Sequence, residues 1–196
     1  HAVCSCCRSA VSLSPQGLPV ILMRMVFADG ARDHAILTQN NQAEWSVPQH
    51  ISDDHWVIDV CPEHGPALAI DEQGRSHLTW FSLGNKRQGI FYAQTDNYGA
   101  TVSEPMAIGQ IEFLPSHPDV ISADKRVVLA WTEFDGKETS LYIQQSNNRG
   151  NTWQVAKKVF STLSTAGYPQ LLAYKERIFI SWMTQLEGHR FIEVSK

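Results

Sequence analysis

Apolar and polar residues alternate along most of this chain, and clusters of Gly, Asn, Asp and Ser interrupt the alternation at roughly 8–12-residue intervals. Helical periodicity is hard to find, so the pattern predicts short strands joined by tight turns, an all-β fold. Three strand-like runs, "SHLTW", "VVLAW" and "IFISW", close on Trp80, Trp131 and Trp182. These tryptophans recur at one period, because 131 − 80 and 182 − 131 both equal 51. Fifteen residues after Trp80 "TDNYGATV" begins at Thr95, and fifteen after Trp131 "SNNRGNTW" begins at Ser146. "VILM" ends at Met23, and fifteen residues on "TQNNQAEW" begins at Thr38. Three matches at one offset make the turn part of a repeating unit.

The turn has the form Ser/Thr-x-Asp/Asn-x-Gly-x-Thr-aromatic. Ser146, Asn148, Gly150, Thr152 and Trp153 fill it, and Thr95, Asn97, Gly99 and Thr101 fill it with Val102 in the aromatic place. Thr38, Asn40 and Trp45 form a worn copy, with Gln42 where glycine is expected. The unit resembles the Asp-box, or BNR repeat, of sialidases and related β-propellers. Its residues are expected to be structural: asparagine bonds nearby backbone, glycine takes φ > 0, and the aromatic ring fills space between neighbouring sheets. Each unit then reads as four strands, the size of a propeller blade. Blades are expected at approximately 5–50, 60–107, 116–160 and 167–196, within one partial propeller domain spanning 1–196. The last lacks an outer strand, since Ser195 would open its own box, and only His1 to Val3 precede the first. Propellers pair their two ends to avoid exposed edges. The resemblance therefore implies part of a larger, six-bladed ring, or a partner subunit that completes it.

Topology places the chemistry. Asp-boxes join the third and fourth strands of each blade at one end of the ring. The loops between strands two and three, and the approaches to strand one, fall at the opposite end, where sialidase-like propellers hold their ligand. "CSCCR" brings Cys4, Cys6, Cys7 and Arg8 there, and "RMVFADGARD" brings Arg24, Arg32 and Asp33. "SDDHWVIDVCPEHGP" adds Trp56, Asp59, Cys61, Glu63 and His64. Later loops supply His117, Glu133 and Asp135, then Tyr168, Glu187 and His189. The order C-x-C-C-R, R-D and W-x-I-x-x-C-P-x-x-G-P is similar to a subgroup of bacterial secreted BNR-repeat proteins. That likeness covers almost the whole chain and implies further blades ahead of the cysteine motif.

Hydrophobic content of 43% with 18% charged residues is ordinary for a soluble globular protein. A net charge of −4 with no Lys/Arg run leaves no footprint for nucleic acid or an anionic membrane. The longest apolar run, "LPVILMRMVF", is broken by Arg24 and falls short of the roughly 18–20 residues of a transmembrane segment. The chain opens at His1 without Met, as expected of a processed or trimmed product. Cys4, Cys6, Cys7 and Cys61 make an even number, which suits a periplasmic or secreted location. Three states stay open for them. Disulfides are preferred, either an ordinary Cys4–Cys61 bond or a strained vicinal Cys6–Cys7 bond. The four sulfurs with His64 or His1 could instead hold copper or zinc, although C-x-C-C departs from the usual zinc spacing. Free thiols are the third. No other cofactor is expected.

Two functional readings follow from the resemblance. A sialidase needs three arginines for the sugar carboxylate, an acid Asp and a Tyr–Glu nucleophile pair. Arg8, Arg24 and Arg32 are candidates for the clamp, but no Arg-Ile-Pro triplet exists here, and Tyr168 with Glu133 pairs only by loop position. Arg8 and Arg32 are alternatively read as rim-ordering partners of Asp33, Asp59 or backbone carbonyls. The preferred expectation is a binding or assembly module that takes a glycan, an anionic ligand or a protein partner through Arg8, Arg24, Arg32, Asp33, Trp56 and His64. The alternatives are a glycoside hydrolase completed by residues outside this chain, and a copper- or zinc-binding cysteine-rim protein or subunit of a larger complex.

Overall fold

A computed structural model describes residues 2–60 and 62–194. His1, Cys61, Ser195 and Lys196 lie outside the described residues, and with them the expected roles of His1 and Cys61 and the box at Ser195. The described chain forms four antiparallel sheets; strand order follows chain order in sheets 2 to 4, and in sheet 1 β1 and β2 both pair with β3. Sheet 1 holds β1 (Ala2–Val3), β2 (Ala10–Leu13), β3 (Pro19–Val26), β4 (His34–Thr38) and β5 (Gln49–His50). Sheet 2 holds β6 (Ala67–Ile70), β7 (Ser76–Leu83), β8 (Gln88–Thr95) and β9 (Met106–Ile108). Sheet 3 holds β10 (Ser116–Ala123), β11 (Arg126–Phe134), β12 (Thr139–Ser146) and β13 (Lys157–Thr162). Sheet 4 holds β14 (Gln170–Tyr174), β15 (Arg177–Thr184) and β16 (Gly188–Val194). Among the described residues the one helical element is a 3-10 turn, Ile111–Phe113, and no helix is long and apolar enough to cross a membrane.

The apolar positions form a layer at every junction between neighbouring sheets, so sheets 2 and 3 are covered on both faces and sheets 1 and 4 on one. Leu22 and Ile36 of sheet 1 meet Leu68, Leu78 and Trp80 of sheet 2. Ile90 and Tyr92 of sheet 2 meet Val127, Leu129 and Trp131 of sheet 3. Val128 and Leu141 of sheet 3 meet Ile178, Ile180 and Trp182 of sheet 4. Trp80, Trp131 and Trp182 are fully buried, and each indole N–H finds an acceptor: Asp54 Oδ2 at 2.8 Å, Glu133 Oε1 at 2.9 Å and the Gly167 carbonyl at 3.0 Å.

Strand register corrects the first repeat. Ser76 pairs with Thr95, Val127 with Ser146 and Ile178 with Val194, and each tryptophan stands four residues after the first member of its pair. In sheet 1 the matching pair is Val20 with Thr38, so the fourth residue on is Arg24, not Met23. The β3–β4 hairpin is shorter by one residue from that position, 38 − 24 against 95 − 80, which a fixed fifteen-residue offset misses. A buried arginine thus occupies the place where the other sheets carry tryptophan.

The repeated turns share one hydrogen-bond pattern. The Ser146 hydroxyl accepts from the Asn148 and Gly150 N–H groups, and Asn148 Oδ1 accepts from Thr152 N at 2.9 Å. Thr95, Asn97, Gly99 and Thr101 make the same set, with Thr101 N at 2.8 Å from Asn97 Oδ1. In the first copy Asn40 still accepts from Glu44 N at 3.0 Å, but the left-handed residue is Ala43 (φ 62) and position 42 needs no glycine. The turns also clamp sheet to sheet. Arg149 donates to Asp71 at 2.7 and 3.0 Å, and Trp153 meets Tyr92 edge-on with ring centroids 4.8 Å apart.

Gly150 is the tightest point of this clamp: its φ is +78, and an added Cβ would stand 2.1 Å from Tyr92 Oη. Gly150→Ala is expected to lower unfolding free energy by about 2 kcal/mol through backbone strain and loss of the sheet 2–sheet 3 contact. Thermal or urea unfolding checks this; an unchanged midpoint would contradict it.

Candidate ligand-binding rim

At the end opposite these turns, the first strands lose their regularity. In sheet 1, Val3 pairs with Met25 and Ala10 with Leu22, so seven steps on one strand face three on the other. The surplus residues, which include Cys4–Arg8, leave the strand as a loop. In β10, Ser116 pairs with Thr132 and Asp119 with Ala130, three steps against two, with His117 at φ 53. In sheet 4, Ala166 bridges Thr184 and Gln170 pairs with Ser181, four steps against three, around Tyr168. In sheet 2 the chain approaching β6 passes so close to the first loop that a Cβ on Gly65 would stand 2.6 Å from the Arg8 carbonyl oxygen.

These irregularities bring one residue from each sheet into a single column. The Arg8 guanidinium lies 5.2 Å from the centroid of the Tyr168 ring. Tyr168 stacks on His117 at 3.8 Å, His117 on His64 at 4.9 Å, and His64 on Phe81 at 4.1 Å. Burial pushes both imidazoles down to about 4, helped by Arg24 at His64 and by His64 and Arg8 at His117. Both rings are therefore neutral near pH 7 and stack without charge repulsion. Arg8 is exposed and Tyr168 is 40% exposed, so this end of the column faces solvent. Beside the other end runs an apolar cleft of about 320 Å³ lined by His64, Phe81, Leu83, Leu114, His117 and Phe134. A cleft at the opposite end of the molecule, lined by exposed Glu72, Asp124, Lys175 and Glu176, brings together mixed charges on turns with no such convergence.

The other residues singled out from the sequence have different surroundings. Arg24 is 1% exposed and donates to the carbonyls of Arg32 (2.7 Å), His64 (3.2 Å) and Phe81 (2.7 Å), with its guanidinium 4.6 Å from the Trp56 ring centroid. Trp56 is buried beneath it. Asp33 is also buried and accepts backbone N–H bonds from His55 at 3.0 Å and Trp56 at 3.4 Å. Burial nonetheless raises its pKa. Arg32 is half-buried, with one guanidinium nitrogen 3.6 Å from Cys4 Sγ. Arg8 and His64 therefore join the column, whereas Arg24, Asp33 and Trp56 form the packed floor that supports it. Glu133 is not beside Tyr168 as a pair: it is buried and accepts from Trp131 Nε1 and Gln110 N. Asp119 of sheet 3 accepts from Leu171 N of sheet 4 at 2.6 Å, and burial of its carboxyl raises the pKa to about 6.

Cys4 and Cys7 are free thiols and Cys6 is disulfide-bonded, so neither a Cys4–Cys61 bond nor a vicinal Cys6–Cys7 bond forms. The reason is local: a turn closed by Cys7 N donating to the Cys4 carbonyl folds Cys4 and Cys7 together and leaves Cys6 on its exposed side, with Cys6 Sγ 3.6 Å from Cys4 Sγ. Burial and the neighbouring Cys4 push the Cys7 thiol up to about 11, against the pull of Arg24.

Phe81 and Asp119 were not marked by sequence reasoning, and His117 and Tyr168 were placed only among the later loops. A usable signal exists once Arg24 is aligned with the tryptophans. Arg8 and His64 precede their aligned residues by 24 − 8 and 80 − 64, both 16, and His117 and Tyr168 by 131 − 117 and 182 − 168, both 14.

No protein-family model and no curated protein matches the chain. Solved structures do match. A Hadza microbial sialidase, Hz136, superposes with TM-score 0.63 at 17% identity, over 95% of this chain and 45% of its own. A Dyadobacter fermentans protein of unknown function gives TM-score 0.70 at 12% identity, over 100% of this chain and 66% of its own. An exo-1,5-alpha-L-arabinanase from a bovine ruminal metagenomic library gives TM-score 0.58 at 13% identity, over 98% and 78%. The chain thus spans less than half the length of that sialidase. At these identities the likeness establishes the fold, a β-propeller type of architecture.

Buried imidazoles at both ends of the fold also make stability depend on pH. His64, His77 and His117 are lowered to about 4 and His34 is lowered well below its usual value, each chiefly by burial. Unfolded imidazoles protonate near 6.5, so between about 6.5 and 4 the unfolded chain binds more protons and stability falls as pH falls. Asp33 and Asp119, both raised by burial, Asp119 to about 6, oppose this. The melting temperature is expected to drop steadily on acidification from about pH 7 to 4.5, and His117→Phe to flatten the slope. A melting temperature constant across that window would contradict the burial of neutral imidazoles.

Proposed function

We propose that this chain is part of an extracytoplasmic, sialidase-like propeller that binds an anionic glycan on the rim formed by Arg8, Tyr168, His117 and His64. The observation that carries this reading is the column itself: four successive sheets each contribute one residue to a continuous, partly exposed stack. Exposed Arg8 supplies a guanidinium fork for a sugar carboxylate or sulfate. The exposed edge of the Tyr168 ring supplies an apolar surface beside that guanidinium, and His117, stacked between Tyr168 and His64, holds it in place. A rigid scaffold beneath open loops suits recognition. The hairpin turns at the far end serve as Asp-boxes, which hold neighbouring blades together and stay away from the ligand.

Binding is favoured over hydrolysis because the nearby acids already serve the fold. Asp33, Asp119 and Glu133 each accept internal N–H bonds, and Arg24 is enclosed among carbonyls. A sialidase-type hydrolase completed by residues outside this chain is the second reading, favoured by the likeness to a sialidase of about twice the length. Both readings require covering of the two outer faces. Val11 and Leu13 on sheet 1 and Leu172, Tyr174 and Phe191 on sheet 4 are each more than half exposed, which supports further blades or a partner subunit on either side. Disulfide-bonded Cys6 supports a periplasmic or secreted setting.

The test is retention on immobilised sialylated glycan against a neutral glycan of equal length. The sialylated matrix is expected to retain the protein, and Arg8→Ala and Tyr168→Ala each to weaken binding about tenfold. Equal retention on both matrices would overturn the anionic-glycan reading, and turnover of a fluorogenic sialoside would move the assignment to the hydrolase.

A further inference from the structure

The loop expelled from the first strand gathers three sulfurs that the glycan reading does not use. Cys4 Sγ lies 3.1 Å from Cys7 Sγ and 3.6 Å from Cys6 Sγ, and all three sulfurs lie within 4.8 Å of one another. Among the described residues this is the group of metal-ligating side chains brought so close together. Thiolates around one tetrahedral cation, each about 2.3 Å from it, stand about 3.8 Å apart, close to the separations seen here. The surroundings suit a negatively charged cluster: Arg32 reaches Cys4 Sγ at 3.6 Å, and Arg24 lies beside the Cys7 thiol. Cys4 and Cys7 also have the two-residue spacing found in metal-binding turns, closed here by the Cys7 N–H to Cys4 carbonyl bond at 3.2 Å.

We propose that Cys4, Cys6 and Cys7 form a redox-gated site for a thiophilic d10 cation, Zn²⁺ or Cu⁺. Disulfide-bonded Cys6 cannot ligate as a thiolate, so the form seen here is the closed one. A dithiol opens it: the dithiol gives up two electrons and two protons and becomes a disulfide, while Cys6 and its bonding partner become thiols. The cation then displaces the protons of the three thiols, which leave to solvent, and binds as a three-thiolate complex. Soft sulfur donors select Cu⁺ and Zn²⁺ over hard divalent ions. Arg32 acts as a positioning residue that compensates the charge of the cluster.

The test compares air-oxidised protein with protein reduced anaerobically by a dithiol and desalted. Each is titrated with Zn²⁺ and, separately, with Cu⁺ against a competing chelator. Reduced protein is expected to retain one equivalent of at least one of the two cations, and oxidised protein markedly less. Bound cation is expected to protect Cys4, Cys6 and Cys7 from alkylation, read by peptide mass spectrometry on the unaltered chain. Arg32→Ala is expected to lower affinity about tenfold, and Cys4→Ser and Cys7→Ser to lower it further. The protection assay needs no variant, so misfolding of a serine variant cannot mimic its result. Failure of the reduced chain to retain either cation, or full alkylation of Cys4 and Cys7 with cation present, would overturn the site.

Discussion

One buried arginine organises the rim end of this molecule. Arg24 takes the register position that tryptophan fills in the other three sheets. Enclosing a guanidinium costs several kcal/mol unless its N–H groups are paired, and here the two terminal nitrogens reach three backbone carbonyls from different segments while Nε has no partner among the described residues. Those segments are the β3–β4 hairpin, the approach to β6 and the end of β7. The same side chain that closes the sheet 1–sheet 2 junction therefore fixes the peptide of His64, and with it one ring of the column. It also stands beside Cys7, so the rim and the sulfur cluster share one electrostatic anchor.

The two ends of the fold answer different demands. At the turn end the repeats are alike: two hairpins make the same bonds from one hydroxyl and one asparagine, and glycines let each turn press on the preceding sheet. At the rim the first strands carry surplus residues, differently in each sheet, and these insertions project Arg8, His117 and Tyr168 away from the ladder. A repeating scaffold becomes a specific surface through such local departures, while the sheets beneath stay regular.

The architecture was legible because its signals are local and repeated. Alternation marks strands, the 51-residue tryptophan period marks units, and Asn97 and Asn148 mark turns whose bonds span only four residues. The site was less legible because it depends on contacts between units. Arg24 looked like an exposed clamp since arginine is rarely buried, and only the register of β3 against β4 reveals that it stands in a core position. Asp33 looked like a rim acid for the same reason, although its carboxylate caps the backbone of His55 and Trp56. His117 and Tyr168 lie on different sheets, and no property of either residue alone announces a ring stack of 3.8 Å. The cysteine pairing followed from a turn that spacing alone does not specify.

The central claim is that the column from Arg8 to Phe81 is a ligand-binding surface and not only a packing feature. The most direct measurement is a two-dimensional NMR titration of the labelled chain with a sialylated oligosaccharide, following Tyr168, the His117 and His64 rings and the Arg8 guanidinium. The account predicts saturable shifts concentrated on those four residues, with the turns around Asn97 and Asn148 unmoved. Shifts confined to the turn end, or none at saturating glycan, would contradict it.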